Sequence, residues 1–382
     1  MHVLWLCSWY PGPLDPYDGD FIERHAASLA TCQPVQVIHL VQNTTLLKGQ
    51  APTTTETKAG QLQATVHALS WPGLPAPLDR LVFNRNYRSA YRRILAAYIE
   101  THGRPDLVHV HVPVKAGAAA LWLKMRYGIP FIASEHNSAY FPEIPGSYAT
   151  RNRYFRYITE HTFRQAKAVT SVSEWLTRRL EYLFQLPQTA VVRNAVDTHL
   201  FYPGLPTKAR FRFLHVSMLL PLKNAEGILD ALALLQQRTR DWELVLVGPA
   251  PDALRARAAR LGLSSQVIFT GALSYGGVAE QMRKAHALVH FSRYENLPCV
   301  INEALCCGLP VVSSDVGGIR ELVQEENGIL VPEGNLQELA DALYRLMLQY
   351  TNYDRVAISV TAQEAFNYAA IGKAWVGLYN RL

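Results

Sequence analysis

The sequence predicts an α/β fold made of two doubly wound domains in tandem. Three observations carry this. Short, continuous apolar strands alternate with helical stretches, the pattern of parallel sheets buried on both faces. The pattern runs to Val172 and starts again at Phe211. A chain of 382 residues, 49% hydrophobic and 18% charged, has the apolar material for two cores and too little charge for a disordered chain.

In the first half the strands are Val3–Cys7, Val35–Leu40, Leu107–Val110, Pro130–Ser134 and Ala168–Val172. Helices are expected near Phe21–Thr31, Phe83–Glu100, Lys115–Tyr127 and Arg151–Gln165. Asn43–Lys58, polar and Thr-rich, reads as a mobile loop. In the second half the strands are Phe211–Val216, Trp242–Val247, Val267–Thr270, Ala287–His290 and Pro310–Ser313. Its helices fall near Ala225–Gln237, Asp252–Leu261, Gly277–Ala285, Val300–Cys307 and Leu336–Gln349. Pro203-Gly204-Leu205-Pro206 reads as the linker, because Pro and Gly break regular structure. The first domain is therefore expected over 1–202 and the second over 207–365. Val356–Leu382 reads as helices anchored by Phe366, Tyr368, Trp375 and Tyr379.

Composition narrows the class. Five cysteines, an odd number, exclude a disulfide-stapled scaffold and fit a reducing compartment. No run of about 18 apolar residues is present to span a membrane. The start lacks a basic segment and reaches Pro11-Gly12-Pro13 early, so no signal peptide and a cytoplasmic location are expected. The net charge of +6 lies wholly in residues 1–200, with 20 Lys and Arg against 14 Asp and Glu. Arg85, Arg88, Arg92 and Arg93 share one helix face, with no acid between Asp79 and Glu100. Arg151, Arg153, Arg156, Arg164 and Lys167 form a second basic stretch. Such stretches fit a solvated face or attraction to an anionic surface, and the charges alone leave both open. No nucleic-acid motif accompanies them, so nucleic acid is not expected as a partner.

In open α/β sheets, ligands bind beyond the carboxyl ends of the strands. Two such domains facing each other would form a cleft. The most informative stretch follows the strand ending at His290. Pro298 suits the first turn of a helix, and Gly308 stops it. Glu295 then lies on the preceding loop and Glu303 about one and a half turns into the helix. Free N–H groups at that helix start suit a phosphate, and Glu303 suits a ribose diol. The same two carboxylates also fit a helix-dipole partner and a surface charge. Spacing alone does not decide. Asp18-Gly19-Asp20 matches a metal-binding pattern that three residues meet by chance. Cys299, Cys306 and Cys307 lack metal-ligand spacing and read as buried thiols.

Glu295-x7-Glu303, followed by Ala-Leu-x-x-Gly-Leu-Pro-Val-Val, resembles the signature of retaining GT-B glycosyltransferases, and most closely glycosyltransferase family 4. Further segments fall in the family's order. They are Ser8-Trp9-Tyr10-Pro11, Gly19 to His25, Pro105-Asp106-Leu-Val-His109-Val-His111, Ser134-Glu-His136-Asn and Val172-Ser173-Glu-Trp-Leu. Then come Arg193-Asn194-Ala-Val-Asp197, Leu220-Pro-x-Lys223-Asn, Val316-Gly317-Gly318 and Asn327-Gly328-Ile-Leu-Val. The set covers nearly the whole chain.

The resemblance implies two Rossmann-like domains facing a cleft, with 366–382 a C-terminal helix packing back on the first. It implies transfer of a hexose-type sugar from a UDP- or GDP-sugar, with retention, to a glycan or lipid-linked acceptor in cell-surface polysaccharide or glycolipid synthesis. No metal and no cofactor is expected. His136, Glu295 and Lys223 take the catalytic roles. Glu303, Lys223, Gly19, Leu297, Pro298, Gly317, Gly318 and Asn194 hold the nucleotide and its phosphates. The first domain binds the acceptor, and its arginine helix suggests peripheral contact with an anionic membrane. Ser217-Met218 stands where the family often has Gly-Arg, and Gly19-Asp20 where it has paired glycines. Rival readings are an epimerase needing no acceptor, a phosphorylase needing inorganic phosphate, and a non-catalytic nucleotide-sugar-binding subunit.

Overall fold

The computed structural model describes residues 1–41, 48–70, 75, 78–206 and 210–382, with only the backbone of residues 80 and 81. The chain divides into two compact units. One comprises Met1–Arg193 with Tyr368–Leu382, the other Asn194–Asn367.

The first unit runs β1 (Val3–Cys7), α1 (Asp20–Ala30), β2 (Val35–Val41), β3 (Thr53–Ala59), β4 (Leu62–Ala68), α2 (Leu78–His102), β5 (Leu107–His111), α3 (Pro113–Tyr127), β6 (Phe131–Glu135), α4 (Arg153–Gln165), β7 (Val169–Ser171), α5 (Glu174–Leu183) and β8 (Thr189–Val191). Its described strands form one sheet in the order β3-β4-β2-β1-β5-β6-β7-β8. All pairs are parallel except the β3–β4 hairpin. The strands β1, β5 and β6 are buried along their whole length, which is why they read as unbroken apolar runs.

The hairpin corrects the expected loop. Residues 53–59 are an edge strand, while residues 43–47 of that loop lie outside the described residues. The side chains of β3 are mostly exposed, so its threonines show β-branched propensity without a hydrophobic pattern. In β4, Leu62, Ala64, Val66 and Ala68 are buried while Gln63, Thr65 and His67 are half-buried, the alternation of a one-faced strand.

The second unit runs β9 (Phe211–Val216), α6 (Ala225–Leu235), β10 (Trp242–Val247), α7 (Asp252–Arg260), β11 (Val267–Gly271), α8 (Tyr275–Lys284), β12 (Ala287–His290), α9 (Cys299–Cys306), β13 (Val311–Ser314), β14 (Gly328–Val331), α10 (Leu336–Leu348) and α11 (Arg355–Phe366). Its described strands make a wholly parallel sheet in the order β11-β10-β9-β12-β13-β14. The order reverses direction at β9, between β10 and β12. The loops after β9 and β12 therefore flank the crevice where such sheets bind ligands.

The division falls at Arg193, ahead of the expected Pro203–Pro206 linker. The intervening segment is bonded into the second unit. Asn302 Nδ2 donates to the Asn194 carbonyl at 3.3 Å, and Arg283 Nη1 to the Leu200 carbonyl at 2.6 Å. Phe201 is fully buried, its ring edge-on to Tyr275. Proline and glycine mark irregular backbone, but these contacts decide which body owns it.

The last helix, α12 (Tyr368–Tyr379), belongs to the first unit and packs on α1. The approach is close: a Cβ at Gly372 would lie 2.2 Å from the Ser28 carbonyl oxygen. The crossovers through α2, α3 and α4 advance across the sheet in one direction and that through α1 in the other. Right-handed connections thus put α2–α4 on one face and α1 with α12 on the opposite face. No helix among the described residues is long and apolar enough to cross a membrane.

Candidate active site

In the second unit, three loops bring the predicted residues together. After β9 the chain turns through Pro221–Lys223, and Asn224, in the left-handed region at φ 51°, caps α6 by accepting from Gly227 N–H. This places Lys223 at the strand's carboxyl end. Its Nζ donates to Glu295 Oε1 at 2.6 Å. His290 Nε2 lies 2.8 Å from the same oxygen, and Ser292 Oγ 3.1 Å from that ring nitrogen. Burial alone would push the Glu295 carboxyl up. The charge and hydrogen bonds of His290 and Lys223 override this and bring it down to about 2. Glu295 is thus a carboxylate, able only to accept hydrogen bonds.

A pH dependence follows. The folded value lies below the ordinary 4.5, so its stabilisation is complete above about pH 4.5 and is lost as pH falls toward 2. Glu295→Gln is expected to cost roughly 2–3 kcal/mol at neutral pH. Urea unfolding should show the gap to wild type narrowing as the pH drops below 4.5. A pH-independent gap would contradict the ion-paired state.

Gly317 and Gly318 hold this loop from beneath. At Gly317, with φ 60°, a Cβ would sit 1.9 Å from the Glu295 carbonyl oxygen, so only glycine permits the approach. Gly318 N–H donates to the Asn296 carbonyl at 2.8 Å. That N–H is committed to the loop, not presented to a ligand as expected. Asn194 is likewise a support: its buried Nδ2 donates to the Leu297 carbonyl at 3.0 Å. Leu297 is itself buried. Pro298 stands one residue before the first residue of α9 rather than inside its first turn. Glu303 lies on α9, nearly buried, and accepts from Tyr275 OH at 3.1 Å.

His290, Ser292 and Tyr275 were not among the sequence candidates. His290 ends a buried apolar strand, and a polar residue at that place was the signal available. His215, fully buried on β9, is a second. Burial pushes it down to about 3, so it is neutral. Its Nε2 lies 2.8 Å from Ser217 Oγ, which also accepts from Leu219 N–H at 3.0 Å. Ser217 therefore shapes the turn in which exposed Met218 replaces the family's arginine. Cys306 and Cys307 are buried, as expected, and Cys299 is half-buried. No group of three His, Cys, Asp or Glu side chains among the described residues is placed to hold a metal ion.

In the first unit, Gly19 and His136 lie at strand-end loops as predicted. Gly19 caps α1 at φ 70°, and a Cβ there would lie 2.7 Å from the Trp9 backbone. Asp20 pairs with Arg24 across one helical turn at 3.0 Å. The acid that replaces a family glycine is thus balanced within α1. The His136 ring lies tilted against Phe21 and His25, with ring centroids 5.0 and 5.5 Å away. Its Nε2 lies 3.2 Å from His111 Nδ1. Burial, then the neighbouring imidazoles, holds His109, His111 and His136 well below the ordinary range, so all three are neutral. His109 is a packing residue: its two ring nitrogens meet Tyr379 OH at 2.7 Å and Ser134 Oγ at 2.6 Å. His111 does more, since it abuts His136. Buried Glu135, just before His136, accepts from the backbone N–H groups of His136 and Asn137 at 2.8 Å each, fixing the turn.

Comparison with known proteins agrees with this layout. Residues 203–362 match the family model "Glycosyl transferases group 1". Residues 22–200 match that of "Glycosyltransferase Family 4". The chain is 28% identical to alpha-D-kanosaminyltransferase of Streptomyces kanamyceticus, over 83% of this chain and 89% of that one. It is 30% identical to D-inositol 3-phosphate glycosyltransferase of Frankia alni, over 72% and 74%. In fold it is similar to sucrose-phosphate synthase of Thermosynechococcus elongatus, with a TM-score of 0.79, 20% identity and 100% and 99% of the two chains covered. It is also similar to Anabaena HepE in complex with UDP, with a TM-score of 0.74, 21% identity and both chains fully covered.

Proposed function

The chain belongs to the GT-B glycosyltransferases of family 4, and from that premise we propose that it moves a hexose-type sugar from a nucleotide-diphosphate sugar to a glycan or lipid-linked acceptor, with retention at the anomeric carbon and without a metal ion. The observation that carries this is the Lys223–Glu295–His290 constellation at the switch point of the second sheet. A lysine there is a point charge suited to a leaving diphosphate. A carboxylate kept ionised beside it suits the hydroxyls of the transferred sugar. Glu303 suits the ribose diol.

In this reading the bond from C1 to the diphosphate oxygen breaks as Lys223 neutralises the leaving group. The acceptor hydroxyl attacks C1 from the same face, and a leaving phosphate oxygen takes its proton. Glu295 is tied to Lys223 and His290, which weighs against its acting as a covalent nucleophile. The family resemblance assigns His136, a neutral imidazole, a hydrogen-bonding role in the transfer. The enzyme works in the cytoplasm, on cell-surface polysaccharide or glycolipid.

The test is calorimetric titration with UDP, GDP and ADP in the presence of EDTA. UDP comes first because HepE is described bound to it. One nucleotide is expected to bind, and Glu303→Ala to weaken it by about 10–100-fold, the loss of a charged hydrogen-bond acceptor. Absence of binding under EDTA, or an unaffected variant, would overturn the donor site. NMR of the product showing inversion would overturn retention.

A further inference from the structure

His111 makes a single side-chain hydrogen bond, and it is to His136. The residue is fully buried at the end of β5, its ring against those of Trp5 and His109, each with its centroid 4.1 Å away. Its Nδ1 lies 3.2 Å from His136 Nε2. Its Nε2 is buried and has no hydrogen-bond partner among the described residues. A phenylalanine would pack in such a pocket without leaving a ring nitrogen buried and unpaired. His109, two residues earlier on the same strand, shows the contrast, since both of its ring nitrogens are bonded. Packing therefore accounts for His109 and not for His111.

The ring centroids of His111 and His136 are 5.5 Å apart, and the ring planes differ by 18°. With the facing nitrogens 3.2 Å apart, the rings meet edge to edge and close to one plane, not face over face. That is the direction in which an imidazole N–H donates and a ring lone pair accepts. Both rings are neutral, so each has one donor and one acceptor nitrogen. If His111 donates from Nδ1, His136 keeps its own proton on Nδ1. If His136 donates from Nε2, His111 keeps its own proton on Nε2. Either way the two rings carry their protons on the same-named nitrogen.

We propose that His111 is a positioning residue for His136, fixing its ring plane and its tautomer through this one bond. The proposal rests on the role given to His136 in the transfer. His111 ends a buried strand, and His136 stands just after β6 has ended at Glu135. The strand residue thus aims the loop residue, as the hydrogen-bond partners of functional histidines do elsewhere.

The first readout is nitrogen NMR of the full chain labelled at its histidines, with signals assigned by single substitutions. Long-range proton–nitrogen correlations distinguish the two tautomers. His111 and His136 are expected to show the same one. In His111→Phe, His136 should lose it and average over both forms. Unlike tautomers in wild type, or an unchanged His136 in the variant, overturns the proposal. The second readout is donor hydrolysis, with UDP-glucose and GDP-mannose as probes and water as acceptor. His111→Phe should lower kcat by about 10-fold, the worth of one buried hydrogen bond, and leave KM within about 2-fold. His111→Asn should restore most of the loss, because its amide stands where Nδ1 stood. The phenylalanine variant should still melt no lower than the asparagine variant, which leaves a gap beside Trp5. A kcat that follows the melting order, with asparagine the slower, overturns the proposal. The spectra need no substrate, so they decide the pairing even where the transfer reading fails.

Discussion

Lys223→Ala is expected to lower kcat by about 10²–10³-fold with a smaller change in KM. The argument starts from Lys223 Nζ, held 2.6 Å from Glu295 Oε1 at the end of β9. In the family reading, charge develops on the diphosphate as the C1 bond breaks, and a cation fixed there gains most in the transition state. Met218 stands where the family often has an arginine, so fewer cations share the task and the loss should fall at the high end. The substitution also removes one of the two groups that lower the Glu295 carboxyl, so that carboxyl should titrate higher than its present value of about 2. His290 remains as a partner, so the unit should stay folded. Steady-state kinetics with the sugar nucleotide identified by titration checks this. A fall below tenfold in kcat, with folding intact, would remove Lys223 from the leaving-group role.

Trp375→Ala is expected to destabilise the first unit by about 3–5 kcal/mol, the cost of emptying a large buried aromatic site. Trp375 is 1% exposed. Its ring meets Trp5 edge-on at 6.1 Å and His109 at 4.8 Å, and its Nε1–H donates to His25 Nδ1 at 3.2 Å. The residue thus ties α12 to β1, β5 and α1, the elements around His136. For a body of this size the loss corresponds to a fall of roughly 10 °C in melting temperature. Scanning calorimetry checks it. The second unit's core shares no residue with this cluster, so nucleotide binding below the transition should persist. Loss of nucleotide binding together with the lowered melting point would contradict that independence. Truncation after Asn367 removes Ile371, Trp375, Leu378 and Tyr379 from the core at once and should leave the first unit unfolded.

Much of this fold was legible because parallel strands buried on both faces leave an unbroken apolar record. All ten predicted strands are present, four with the expected ends and six with ends shifted by one residue. The ordered motifs likewise placed Lys223, Glu295 and Glu303 on the right loops and helix. Spacing along the chain puts a residue at a strand end whatever the partners are. The edge strand β3 was missed because both its faces meet solvent, so its polar side chains carry no periodic signal. The ten-residue helix α5 and the three-residue strand β8 went unclaimed.

Tertiary structure alone decided the electrostatics and the supports. That Glu295 is ionised depends on His290 and Lys223, five and 72 positions away along the chain, converging on one oxygen. The glycines at 317 and 318 looked like phosphate-facing turns, yet their backbone closes on Glu295 and Asn296. The Pro203–Pro206 stretch looked like the boundary, yet Asn194 and Phe201 are already fastened into the second unit. Sequence by itself determined which residues stand at the strand ends, because that is set by local pattern and period. Which hydrogen bonds those residues make, and what charge they carry, is set by neighbours from distant segments, and only the packed chain brings those within reach.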